Sequence, residues 1–206
     1  MNCYQRLKTI WILTLLLTGC LLARAQDEVP HFFRLTYNNG LSDNKVNCIL
    51  KSHEGYIWAG TPQGLNRYDG FRIRVFYANP RAPHTLPDNN ILNLYEDAEG
   101  QLWVNTPAGH CRFNPKTEQV NRNTDQWLHQ HHVGGHLLKM DTDEKHNLWI
   151  LAINPNKLYY YDFQRCHATA MKVSPRQLNN VTSIHAEEKG LCLVYNRGAM
   201  AWIDRN

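Results

Sequence analysis

Apolar and polar positions alternate in short runs along this chain, and clusters of Gly, Pro, Asn, Asp and Ser separate the runs. Residues 46–51 (Val-Asn-Cys-Ile-Leu-Lys) read as a strand, and Ser52-His53-Glu54-Gly55 turns them into a second strand around Trp58. Thr61-Pro62-Gln63-Gly64 turns that into Leu65-Asn66-Arg67-Tyr68, and Asp69-Gly70 leads on to 71–77. Period-two alternation bounded by such turns predicts a four-stranded antiparallel meander. An aromatic run, 31–37, ends at Asn38-Asn39-Gly40 and reads as one more strand ahead of the meander. After the first 25 residues no segment of ten or more carries the three-and-four spacing of an amphipathic helix.

The meander recurs. Asp43–Gly70 aligns without a gap on Asp88–Pro115, with nine of 28 positions identical, among them Gly55/Gly100, Trp58/Trp103, Thr61/Thr106, Pro62/Pro107, Gly64/Gly109 and Arg67/Arg112. A looser third copy places Trp149 on the same strand, 46 residues beyond Trp103, with Lys157 to Asp162 as its third strand. A fourth is expected over 179–206 with Leu193 in the tryptophan slot. The units span roughly 41–77, 86–122, 135–172 and 179–206, joined by polar connectors at 78–87 and 121–134 that read as loops.

A repeat of about 45 residues that makes four short strands cannot bury both sheet faces alone, and a ring of such sheets supplies the missing neighbours. The fold class expected is therefore all-β, a β-propeller of about four four-stranded antiparallel blades. Trp58, Trp103 and Trp149 are expected between blades as repeat anchors, with Gly64 and Gly109 setting the turn. Burying one indole at 25 cal/mol per Å² contributes about 4–6 kcal/mol at most. The phase of the repeat, with 31–37 ahead of the first unit and three strands in the fourth, allows 31–37 to act as an outer closing strand. An incomplete propeller with an open edge is the favoured reading.

Charge narrows the partners. Of 22 Lys and Arg, Arg6, Lys8 and Arg24 precede a predicted cleavage point, leaving 19 basic against 18 acidic side chains. A near-neutral chain has no electrostatic drive toward nucleic acid. The first 25 residues have the form of a signal peptide: a basic start, an apolar stretch from Ile10 to Leu22 too short to suit a spanning helix, and Ala23-Arg24-Ala25 for cleavage after Ala25. Leu17-Thr18-Gly19-Cys20 is a rival lipid-attachment site, less favoured because Leu21 and Leu22 follow it. Export to the periplasm is expected either way. Cys48, Cys111, Cys166 and Cys192 lie in or beside strands without CxxC spacing and read as small buried hydrophobes, with disulfide pairing left open.

The motifs Asn39-Gly40-Leu41-Ser42, Glu-Gly-Tyr-Ile-Trp-Ala-Gly-Thr at 54–61 and Gly64-Leu65-Asn66-Arg67-Tyr68-Asp69-Gly70-Phe71 resemble the two-component regulator propeller repeats. Those repeats form the periplasmic sensor region of hybrid two-component systems of gut Bacteroidetes. The first two units match closely, the third keeps Leu148-Trp149 and Tyr161-Asp162, and the fourth is marginal. The resemblance implies a periplasmic receptor for glycan fragments, with further blades, a β-sandwich, a membrane helix and a histidine kinase encoded downstream. No kinase is read in this sequence, so kinase activity is not carried over.

Four residues are candidates for ligand binding: Arg67 and Arg112, which recur in one slot and could grip a carboxylate, and Trp127 and Tyr159, on which a sugar ring could stack. Each has a packing reading beside it. His129, His131, His132 and His136 crowd one connector, but without carboxylates at ligand spacing they read as an exposed loop. Asp141/Asp143 and Glu187/Glu188 read as solvated turn residues. No nucleophile elbow, phosphate loop or HExxH stretch occurs. No catalytic residue, metal or cofactor is therefore expected. The expected partners are a glycan or other small molecule, and either a second copy of the chain or further blades and sensor domains. A streptogramin-lyase-like or glycan-active propeller enzyme and a non-functional truncated product are the alternatives.

Overall fold

The computed structural model describes Trp11, Phe32 and residues 34–205. The expected cleavage and lipid-attachment sites lie outside the described residues. No described helix is long and apolar enough to cross a membrane.

Residues 35–206 form an all-β unit. Blade 1 comprises β1 (Cys48–Lys51), β2 (Ile57–Thr61), β3 (Gly64–Tyr68) and β4 (Ile73–Phe76). Blade 2 comprises β5 (Asn93–Glu96), β6 (Leu102–Thr106), β7 (Gly109–Asn114) and β8 (Gln119–Asn121). Blade 3 comprises β9 (His136–Thr142), β10 (Leu148–Ile153), β11 (Lys157–Asp162) and β12 (His167–Ala170). Blade 4 has three strands, β13 (Val181–Glu187), β14 (Gly190–Tyr195) and β15 (Met200–Asp204). Each sheet is an antiparallel meander in chain order, and the first strands of successive blades lie beside one another. This is the propeller arrangement, four blades deep.

One apolar cluster fills each successive pair of blades. The face of a blade that carries the tryptophan (its front) meets the opposite face (the back) of the next blade. Between blades 1 and 2, Trp58 and Leu65 pack against Ile91, Leu94, Leu102, Val104 and Phe113. Period-two alternation puts Trp103 and Val104 on opposite faces, so each blade contributes to two clusters. Gly64 and Gly109 turn β2 into β3 and β6 into β7 at φ +150° and +114°, in the region glycine tolerates best.

Three expectations are corrected. In register, Cys192 and not Leu193 occupies the tryptophan slot: Cys192 pairs with His185 and Trp202 as Trp103 pairs with Tyr95 and Arg112. Leu193 lies on the back face, in the cluster with Trp149. Blade 4's hairpin between β13 and β14 is one residue shorter than the others, which shifts a count made along the chain by one and so flips the face. Next, Phe32 and residues 34–36 form no strand, and a 3-10 turn follows at Tyr37–Asn39. Thr36 and Tyr37 donate their backbone N–H groups to Asn39 Oδ1 (3.0 Å) and Asn44 Oδ1 (2.8 Å), so donors that a ladder would need are satisfied locally. Finally, the connector 121–134 contains a short helix, α1 (Thr124–Gln130), capped by Asn123 Oδ1 accepting from Gln126 N.

Candidate functional site

The repeated arginines are set by their strand position, one residue from the front-face tryptophan across the ladder: Trp58 pairs with Arg67 and Trp103 with Arg112. Arg67 lies over the rings of Tyr56 and Trp58, 4.9 and 5.7 Å from their centroids. It reaches Glu118 of blade 2 at 3.3 Å, and Arg74 binds the same carboxylate. Arg67 is thus a tie between blades. Arg112 lies between the rings of Trp103 and Trp127, at 5.2 and 5.0 Å, and pairs with Asp97 and Glu99 at 3.3 Å each. Asp97, fully buried, also accepts Trp103 Nε1–H at 2.8 Å.

Trp127 and Arg112 are therefore brought together, but below the surface. Trp127 projects from α1 into the core between blades 2 and 3, edge-on to Trp103 and Tyr161 and stacked on His131. Only 6% of it is exposed, which leaves no open ring face for a sugar. Tyr159 stands apart, buried in the same cluster, its hydroxyl accepting Gly134 N–H at 3.3 Å. Gly134, at the end of the connector, lies against the Tyr159 hydroxyl, and a side chain there would crowd it. Asp143, expected in solvent, is buried and accepts hydrogen bonds from Tyr160 Oη (2.7 Å) and Asn147 Nδ2. Of the clustered histidines, His131 packs on Trp127, and His136, the first residue of β9, pairs with Asp125 of α1 at 2.7 Å. Among the described residues no three His, Cys, Asp or Glu side chains gather as a metal would need.

A cavity of about 610 Å³ lies at the rim of blade 2, beside β8. Gln101, Arg112, Asn114, Thr117, Gln119 and Asn121 line it, with His84 and Arg122 at one end. Arg122 holds that end closed by donating to the carbonyls of Thr85 (2.8 Å) and Leu86 (2.9 Å) in the connector 78–87. The Asn114 and Asn121 carboxamides are fixed by accepting N–H groups of Lys116 and Asn123. The side chains of Gln101, Thr117 and Gln119 make no hydrogen bond within the described residues and face the cavity with donors and acceptors in place. Of these residues only Arg112 was singled out from sequence. The rest sit at polar positions of ordinary appearance, and they are gathered from the β5–β6 turn, the β7–β8 hairpin and the connector 78–87.

Residues 40–63 and 85–108 match the family model described as the two component regulator propeller. Curated proteins give no match. Among solved structures the chain is similar to the extracellular domain of the putative hybrid two component system BT3049 from B. thetaiotaomicron, with TM-score 0.58 and 21% identity over 84% of this chain. It is also similar to PorZ, a bacterial surface component of the type-IX secretion system of Porphyromonas gingivalis, with TM-score 0.57 and 15% identity over 86% of the chain. A virginiamycin B lyase from Staphylococcus aureus aligns with TM-score 0.43 and 15% identity over 79% of the chain. The chain spans 25% of the first of these structures, 23% of the second and 56% of the third.

Proposed function

We propose that this chain, which carries two-component regulator propeller repeats, is a ligand-binding propeller region of an exported sensor and that its ligand is a glycan fragment. The observation that carries the sensor reading is the pair of matched repeats at 40–63 and 85–108. The likeness of fold to the extracellular domain of a putative hybrid two component system supports it. The glycan reading rests on the rim cavity of blade 2. Carboxamides, a threonine hydroxyl and a guanidinium offer paired donors and acceptors, which suits the vicinal hydroxyls of a saccharide better than an apolar ligand. The role proposed is binding: most of the polar groups that line the cavity are neutral carboxamides and a hydroxyl, which hold a polar ligand by hydrogen bonds.

Calorimetric titration of the chain with a panel of neutral and uronic-acid oligosaccharides tests this. One class is expected to bind with micromolar to millimolar affinity, and the paired change Gln101→Ala with Gln119→Ala is expected to weaken it at least tenfold with the fold unchanged. Binding that survives this change removes the cavity from the argument. Product formation in place of binding removes the sensor reading.

A further inference from the structure

The two arginines that line the cavity of blade 2 differ in what surrounds their charge. Arg112 belongs to β7, and Asp97 and Glu99 face its guanidinium at 3.3 Å each. Arg122 follows β8 and meets a different set of partners. Its Nε donates to the Thr85 carbonyl at 2.8 Å, and its Nη2 to the Leu86 carbonyl at 2.9 Å and to Thr85 Oγ1 at 3.1 Å. Every one of these acceptors is uncharged. Among the described residues no carboxylate pairs with Arg122, and its Nη1 makes no hydrogen bond.

The segment that Arg122 grips is itself tied down. Asn79 N donates to Thr85 Oγ1 at 3.0 Å, that hydroxyl donates to the Ala82 carbonyl at 2.8 Å, and Val120 N of β8 donates to the His84 carbonyl at 3.0 Å. The guanidinium is therefore held in one orientation, with Nε and Nη2 occupied and Nη1 unoccupied. Carbonyl dipoles orient a cation without cancelling its charge, so its field remains for an arriving anion. The same cavity holds the side chains of Gln101, Thr117 and Gln119, which have no protein partner among the described residues. One fixed cation beside neutral donors and acceptors complements a polyhydroxylated molecule that bears a negative group.

We propose, on the saccharide reading of this cavity, that its ligand is an acidic saccharide. The carboxylate or sulfate ester of that ligand lies against Nη1 of Arg122, and its hydroxyls meet Gln101, Thr117 and Gln119. A charge-assisted hydrogen bond is about twice as strong as a neutral one, so the anion sets which way round the sugar sits. Arg112 is not the anchor, because Asp97 and Glu99 already hold it and would repel a third negative group. Recognition of the anion thus falls to a residue outside the repeated slot of Arg67 and Arg112.

The test is calorimetric titration of the full chain with a panel of trisaccharides, each supplied as the uronic acid, as its methyl ester and as a sulfate ester of the neutral sugar. For the backbone that binds, one acidic form is expected to bind about tenfold or more tightly than the methyl ester, and which form it is names the anion. Added salt is expected to shrink that preference. Arg122→Gln is expected to abolish it, and Arg122→Lys, which keeps the charge, to retain it. A variant that only loosened the connector would weaken acid and ester together and leave their ratio unchanged. That result in Arg122→Gln overturns the proposal, as does equal binding of acid and ester by the unsubstituted chain. If no saccharide of any form binds, the saccharide reading itself falls, an outcome distinct from binding without a preference for charge.

Discussion

Trp58, Trp103 and Trp149 occupy one slot and are all fully buried, yet only Trp103 has a partner for its indole N–H. Asp97 supplies it. The corresponding residue of blade 1 is Ser52, whose hydroxyl turns to the carbonyl of Tyr56 at 3.4 Å and leaves Trp58 Nε1 without an acceptor. A buried donor left unpaired costs about 1–3 kcal/mol. Ser52→Asp is therefore expected to raise unfolding free energy by about 1 kcal/mol in denaturant titration, with Arg67 beside it as Arg112 is beside Asp97. No gain would mean that the carboxylate's desolvation outweighs both contacts. The cysteines differ by surroundings in the same way. Burial pushes the Cys48 thiol up to about 11 and that of Cys111 up to about 12. Cys166 is exposed, contrary to the expectation of burial, because it ends the β11–β12 turn at φ +48°. At pH 8, alkylation followed by peptide mapping is expected to label Cys166 within minutes. Cys48 and Cys111 are expected to react only on unfolding.

At the scale of elements, β7 shows how a strand carries two interfaces at once. Cys111 and Phe113 face blade 1, and Arg112 faces α1 and blade 3. His110 shares the Arg112 side, and burial, together with the nearby Lys139 of β9, lowers its pKa to about 4. In the unfolded chain the imidazole takes up its proton near its ordinary value of about 6.5. The unfolded state thus binds more protons between pH 6.5 and 4. Stability is full above pH 6.5 and is lost as pH falls toward 4, by on the order of 2–3 kcal/mol. His110→Asn is expected to flatten that part of the pH–stability curve. An unchanged slope would assign it to other groups. Helix α1 was invisible to the sequence pattern for a related reason. Seven residues are too few to display a helical period, and the segment is held by Trp127 and Leu128 packing against neighbouring blades.

Across the whole molecule, stability passes from blade to neighbouring blade, as in other repeat architectures. Besides the apolar clusters, discrete polar links join blade 1 to blade 2 and blade 3 to blade 4. His53 binds Glu96, Asn47 Nδ2 donates to the Ile91 carbonyl at 2.8 Å, and Ala186 N donates to Asp141 at 2.8 Å. Glu96→Ala removes an almost fully buried carboxylate and both of its bonds to His53. Hydrogen exchange is expected to accelerate in β1 and β2 by about tenfold, with β10, β11 and β14 unchanged. Acceleration spread evenly over all four blades would mean that the unit opens only as a whole.

Much of this was legible in the residues themselves. A 45-residue period, hairpin turns and a recurring tryptophan determined the blade, its strand order and the inter-blade place of Trp58, Trp103 and Trp149, because period-two alternation assigns faces locally. The same local logic failed at Cys192, where one residue fewer in a hairpin reverses the face, and at Thr36, where Asn39 and Asn44 take the donors that a strand would have used. The rim cavity and the burial of Trp127 and Tyr159 were decided only by tertiary structure. A cavity is made by side chains from separate turns, and whether an aromatic ring faces solvent depends on what the next blade places over it.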